Sequence, residues 1–195
     1  MTTEEASLTP QRRVDNVLVR NSRDCDVDAM LAIYLHHIRV GVDPSQHRDI
    51  ELPDAEDLKR RRKNMHKHKL PHLVAERDGL VVGYAYAVPF RKRPAYRYVV
   101  KHSIYVHPDH MHAGIGKLLL AALIDACAAA GYRQMIGYID ASNRASIQLH
   151  EAFGFRQVGY LPQIGYKFGK WTDSLMLQRS LGPGSTTSPG LWPAR

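Results

Sequence analysis

An apolar strand that runs into a polar turn, a Gly-x-Gly pair and a long helix constrains this chain more than any other feature. The residues are Ile104-Tyr105-Val106, then His107-Pro108-Asp109-His110-Met111-His112, then Ala113-Gly114-Ile115-Gly116-Lys117, followed by a helical run from Leu118 to Ala130. The first amides of a helix have no intrahelical acceptor, and the helix dipole is positive at that end. Glycine lets a bulky anion approach the backbone closely. Such a turn suits a phosphate or pyrophosphate. The dinucleotide pattern does not fit, because its third glycine position holds Leu119. The P-loop does not fit either: Met111 stands at its first glycine position and Leu118 follows Lys117. On this stretch alone, an ordinary glycine-rich strand-to-helix turn remains the alternative.

The chain has 195 residues, enough for one domain with a sizeable core. No apolar run reaches the ~18–20 residues of a membrane span, and Met1-Thr2-Thr3-Glu4-Glu5 lacks the basic and apolar regions of a secretory signal. Cys25 and Cys127 sit far apart in helix-like segments, so no disulfide framework is expected. These features predict a cytoplasmic protein. A net charge of +8 raises the question of nucleic acid. The densest basic run, Lys59 to Lys63, follows acidic Asp54, Glu56 and Asp57, so it reads as the later turns of a solvated helix. No aromatic residues interleave with it, so a nucleic-acid partner is not expected. The histidine groups His107, His110, His112 and His66, His68, His72 lack any metal-site spacing, and no metal is predicted.

Periodicity predicts the rest. Residues 1–16 are polar and read as a loose terminus. A short strand at Val17 to Arg20 precedes a helix on which Val27, Met30, Leu31, Tyr34 and Ile38 share a face. A loop from Gly41 to Pro53 leads to the basic helix. Leu73–Arg77 and Leu80–Val88 flank Asp78-Gly79, a hairpin signal, and Tyr96–Val106 is the next strand. After the glycine turn and its helix, Gln134–Ile139 is a strand, Asn143 or Ser142 starts a helix that ends at Gly154, and Phe155–Leu161 with Ser174–Gln178 closes the sheet. The tail 182–195 has no packing pattern and reads as disordered. The domain is therefore 17–181, an α/β chain of order β-α-α-β-β-β-α-β-α-β-β, in which an antiparallel meander feeds a parallel crossover.

Four ordered stretches carry a family resemblance: Phe90-Arg91-Lys92-Arg93-Pro94-Ala95-Tyr96-Arg97, His102-Ser103-Ile104-Tyr105-Val106-His107-Pro108-Asp109-His110, Asn143 to Phe155, and Gly165-Tyr166-Lys167-Phe168-Gly169-Lys170-Trp171-Thr172-Asp173. Across roughly residues 17–181 the chain resembles the GNAT superfamily of N-acetyltransferases, closest to its phosphinothricin/methionine sulfone branch. The resemblance implies a mixed, mostly antiparallel central sheet with helices on both faces. It implies acetyl-CoA as cosubstrate and a small amino-acid-like amine as acceptor, with direct transfer between them. A homodimer through the last strands is the family's common arrangement.

By the same resemblance, the coenzyme pyrophosphate rests on the amides of His112, Ala113, Gly114, Ile115, Gly116 and Lys117. The pantetheine arm pairs with Ile104 and Val106, and a backbone N–H at Ile104 or Tyr105 serves the oxyanion. Asn143 and Ser146 reach the coenzyme while also capping a helix. His150 stands where the superfamily often has a tyrosine acid and is the candidate donor to the thiolate. Arg91, Arg93 and Tyr96 form the implied acceptor site, since two guanidinium groups and a phenol suit a carboxylate. Two positions depart from the pattern: Met111 replaces a Gln or Arg, and Lys101 replaces the glutamate thought to help deprotonate the amine. A protonated lysine cannot take up a proton, which leaves His102, water without a dedicated base, or a neutral Lys101 as alternatives. The loop near Val42 to Ser45 also lacks the branch's aromatic residue, which with Lys101 points to a more acidic acceptor. An acyl-CoA-binding protein with little catalysis, and a basic nucleic-acid or protein-binding module, are the rival functions.

Overall fold

The architecture is taken from a computed structural model that describes residues 12–14, 16–39, 53–167 and 169–189. The loop expected between Gly41 and Leu52, with its missing aromatic, lies outside them. Eight strands form one sheet in the order β1-β2-β3-β4-β5-β6-β8-β7. They are β1 (Arg12–Val14), β2 (Val17–Asn21), β3 (His72–Arg77), β4 (Leu80–Pro89), β5 (Val99–Val106), β6 (Gln134–Asp140), β7 (Arg156–Lys167) and β8 (Lys170–Ser180). The helices are α1 (Val27–Arg39), α2 (Ala55–Lys67), α3 (Ile115–Ala129) and α4 (Arg144–Ala152). All neighbouring strands are antiparallel except β5 and β6.

Alternation along the strands divides the core in two. Leu73, Ala75, Ala85, Ala87 and Val100 pack with Leu119, Leu120 and Leu123 of α3 and Ile147 of α4. Val74 and Tyr84, the intervening residues, pack on the other face with Val27, Met30 and Ile33 of α1. Gly83 allows the closest approach of α3: a Cβ there would lie 3.0 Å from Leu119 Cδ1. Beneath α1, buried Arg20 forks onto Asp26 at 2.8 and 2.9 Å and reaches Glu76 at 2.8 Å. That arrangement joins β2, β3 and the short turn before α1.

Three stretches differ from the sequence expectation. Arg12–Val14, inside the stretch expected to be loose, pairs with β2, because the strand edge at Val17–Val19 offers it backbone partners. Beyond Ser180 the chain turns back on the sheet: the Leu181 N–H donates to Arg133 O, and Arg133 reaches Gly184 O and Thr187 Oγ1. The closing hairpin is also longer than its apolar pattern, because β7 and β8 continue to Lys167 and Lys170 through backbone pairing, with Tyr166 in edge contact with Trp171 at 5.4 Å.

Candidate active site

The parallel pair β5 and β6 touches at only three positions, from Val99↔Gln134 to Lys101↔Ile136. Beyond Lys101, β5 keeps β4 as its partner while β6 keeps β8. The sheet therefore opens at Ser103–Val106. The His107 N–H donates to Val82 O and the Phe90 N–H to Val99 O, which turns the odd-numbered backbone groups of β5 toward β4. Strand alternation then turns the N–H groups of Ile104 and Val106 into the opening. The Val106 carbonyl accepts from His37 Nε2 at 2.8 Å, which ties α1 to this strand end.

At the end of β5 the turn wraps through two left-handed residues, His112 (φ 61°) and Gly114 (φ 78°), into α3. Met111 through Gly114 are exposed, Ile115 is buried in the core, and Lys117 is exposed. Gly116 lies where a Cβ would meet Leu149 of α4 at 3.3 Å, so this glycine also serves helix packing. The start of α4 lies across the opening from this turn. Asn143 caps it by accepting the Ser146 N–H at 3.0 Å and remains exposed.

Two histidines meet beside the opening. Alternation puts His102 on the α3–α4 face, where it is buried against His150 with their Nε2 atoms 2.9 Å apart. The other nitrogen of each ring faces a carbonyl, His102 Nδ1 to Ile136 O at 3.0 Å and His150 Nδ1 to Ser146 O at 2.7 Å. Phe155 packs on both rings, with centroids 5.4 and 5.1 Å away. Burial lowers the pKa of each imidazole, and for His102 the neighbouring His150 lowers it further. Both nitrogens of His102 are thus engaged, and none is left to face an amine.

On the α1–α2 face a cavity of about 450 Å³ adjoins this region. Arg61 and Asn64 of α2 and Lys101 and Ser103 of β5 supply its polar edge, and His102 borders it. Aromatic rings form a wall: His72 stacks on Tyr86 at 5.5 Å, and Tyr84 stacks on Tyr105 at 5.0 Å. Burial pushes the Tyr84 and Tyr105 phenols upward, so both stay neutral, and brings His72 down to about 4. Lys101 lies on the exposed side of the strand, opposite in alternation to His102. Cys127 is buried with its thiol pKa raised by burial, and neither cysteine borders the cavity.

The structure thus brings together His102, His150, Ser146, the Ile104–Val106 edge and the glycine turn. It does not bring Arg91, Arg93 and Tyr96 to the cavity. All three sit on the β4–β5 connection, where Arg91 stacks on Phe90 and Tyr96 at 5.2 and 5.3 Å. Among the described residues, the cavity's cations come instead from Arg61 and Lys101. Arg61 belongs to the run read as a solvated face and is itself exposed; it borders the cavity because Leu58 and Met65 flank it on the same side of α2. Its neighbour Arg62 is half-buried and binds Ser22 O at 3.0 Å and the Asp24 carboxylate.

Residues 34–155 match the sequence model of the acetyltransferase (GNAT) family. The chain belongs to that family. This GNAT enzyme is 43% identical over 172 residues to a phosphinothricin N-acetyltransferase of Alcaligenes faecalis, covering 88% of this chain and 86% of the relative. It is 43% identical over 111 residues to an L-methionine sulfoximine/L-methionine sulfone acetyltransferase of Salmonella typhimurium, over 57% of this chain and 65% of the relative. Among solved structures, a GNAT phosphinothricin acetyltransferase from Sinorhizobium meliloti in complex with AcCoA superposes with a TM-score of 0.81 at 35% identity, covering 90% of this chain and 94% of that one. The GNAT enzyme is accordingly an N-acetyltransferase. Among its described residues, no helix is long and apolar enough to cross a membrane.

Proposed function

We propose that this enzyme transfers the acetyl group of acetyl-CoA directly to the primary amine of a small, amino-acid-like acceptor carrying a carboxylate. The observation that carries this reading is the cavity that holds Arg61 and Lys101 beside the opened β5 edge. The glycine turn suits the coenzyme: its amides at the start of α3 have no intrahelical acceptor, and Met111 through Gly114 leave them accessible. Pantetheine, itself a chain of amides, extends along Ile104 and Val106 as an added strand partner, with Asn143 and Ser146 across the gap. Of the two candidate oxyanion donors, the Tyr105 N–H turns to β4 and the Ile104 N–H into the opening, so Ile104 takes that role.

Arg61 and Lys101 hold the carboxylate of the acceptor and favour the neutral form of its amine by repelling the ammonium. With both His102 nitrogens engaged, the amine loses its proton to water rather than to a dedicated base. His150 protonates the thiolate. Neither cysteine lines the cavity, which supports direct transfer over a cysteine-bound intermediate. The β7–β8 hairpin exposes Ile164, Tyr166 and Trp171 by 61%, 64% and 61%, which supports a homodimer joined through these strands. The protein is cytoplasmic in this reading, where acetyl-CoA is supplied.

A screen of acetyl-CoA consumption over amino acids, methionine sulfone, phosphinothricin and polyamines tests the reading. Turnover of carboxylate-bearing amines and none of polyamines is expected. Tight acetyl-CoA binding with no amine turned over would overturn it.

A further inference from the structure

The two buried histidines make more hydrogen bonds than two neutral imidazoles have protons to fill. A carbonyl only accepts, so the contacts to Ile136 O and Ser146 O place a hydrogen on both Nδ1 atoms. A neutral imidazole carries one hydrogen. The Nε2–Nε2 contact at 2.9 Å therefore needs a third proton, without which two lone pairs would face each other. The pocket around the pair admits no easy reorientation. Phe155 covers both rings, and a Cβ on Gly137 would lie 3.0 Å from His102 Cε1. The groups that face the pair are the Ile136 carbonyl and Gly137 on β6, Phe155 before β7, and Ser146 on α4. The nearest charges along the chain, Lys101 and Glu151, are both exposed.

We propose that His102 and His150 hold one extra proton between them and act as a single acid toward the departing thiolate. His150 is its imidazolium half, and His102 is a positioning residue that accepts from His150 Nε2. The exit lies at His150 Nδ1, which has two partners on Ser146: the carbonyl at 2.7 Å and the hydroxyl Oγ at 3.5 Å. With the extra proton present, Nδ1–H donates to the carbonyl. Once the proton has gone, Nδ1 accepts from the hydroxyl and the inter-ring hydrogen bond stays filled, while the Ser146 carbonyl loses its donor. Ser146 is half-buried at the first turn of α4, so its hydroxyl is the relay between the buried pair and the opening.

The step balances. The amine lone pair forms the C–N bond, and the C–S bond breaks with its electrons on sulfur. Sulfur takes the Ser146 hydroxyl proton as Oγ takes the Nδ1 proton of His150. The surplus proton of the amine passes to water, and the pair regains one proton from water. Burial disfavours a charge on either ring, so the extra proton is held by the hydrogen-bond geometry against that cost. This role rests on the acetyl transfer proposed above.

Two variants and one measurement without substrate test it. His102→Gln keeps an acceptor, Oε1, where Nε2 stands, and His102→Leu removes it. For His102→Leu, kcat should fall at least tenfold while the KM for acetyl-CoA stays within twofold, and the basic limb of the kcat–pH profile should move to lower pH. His102→Gln should recover most of the rate and the wild-type limb. Equal losses in the two variants, or a limb that does not move, would overturn the role of His102. Ring 15N NMR of the wild-type enzyme reads the proton count directly, with no amine present and with no dependence on the variants folding. His102 Nδ1 should stay protonated throughout, and His150 Nδ1 should gain its proton in one transition shared by both rings. Two independent transitions would refute the shared proton. If no acceptor amine is found although the shared transition is seen, the acetyl-transfer reading fails and the proton count stands.

Discussion

Gly137 is the residue on which the histidine pair rests, and Gly137→Ala is the sharpest test of its packing. A Cβ built there lies 3.0 Å from His102 Cε1, 3.6 Å from His102 Nε2 and 3.7 Å from His150 Cδ2. A 3.0 Å contact is tighter than ordinary Cβ packing, so the His102 ring must give by a few tenths of an ångström. The inter-ring bond starts at 2.9 Å, and such a shift stretches it toward the ~3.2 Å limit of a good hydrogen bond. Overpacking of this kind costs about 1–3 kcal/mol, offset by the ~0.4–1 kcal/mol that an alanine gains through a stiffer unfolded chain. The net loss is about 1–2 kcal/mol. For a domain of this size that is a drop of roughly 2–8 °C in Tm. Thermal unfolding by circular dichroism measures it, with the same substitution repeated in a His102→Ala background. There the clash has no partner, and the added alanine should cost nothing. An equal loss in both backgrounds would refute the reasoning, because it would trace the effect to the β6 backbone rather than to the ring above it.

Arg20→Met leaves Asp26 and Glu76 without the guanidinium that forks between them, and unfolding experiments in denaturant should show a loss of about 3–5 kcal/mol, the cost of a buried charge stripped of its partner. His72 is depressed to about 4 from an ordinary 6.5, chiefly by burial and then by Arg62. The unfolded chain therefore binds the extra proton first, so the stability His72 contributes is complete above pH 6.5 and is lost as pH falls toward 4. His72→Phe keeps the ring stack with Tyr84 and Tyr86 and should flatten part of that acid loss, read as Tm against pH, with little change at pH 8. Lys101→Glu reverses one charge at the cavity edge. The KM for carboxylate-bearing acceptors should rise about tenfold, equivalent to ~1.4 kcal/mol, while coenzyme affinity measured by calorimetry stays level.

The features legible in the sequence were those that one segment states by itself. The Gly-x-Gly turn and the Asn143 cap are local, and each stands where the chain's own spacing puts it. The seven longer strands and four helices follow from periodicity in the same way. Properties that depend on two distant segments were not legible. Arg91 and Arg93 match a motif, yet Arg91 stacks on the aromatic rings of its own loop, while Arg61, hidden in a basic run, lines the cavity because α2 packs beside α1 and β3 at its edge. His102 stands among the candidate bases, beside water and Lys101, because position 102 adjoins Lys101. Its true surroundings come from Ile136, 34 residues on, and His150, 48 residues on. Neither separation leaves a trace in local pattern. What fixes them is the parting of β5 from β6 after three residue pairs, which lets α4 bring His150 down onto the strand that carries His102. The same parting that makes room for a thioester therefore also builds the acid beside it, and a change that closed the gap would disable both.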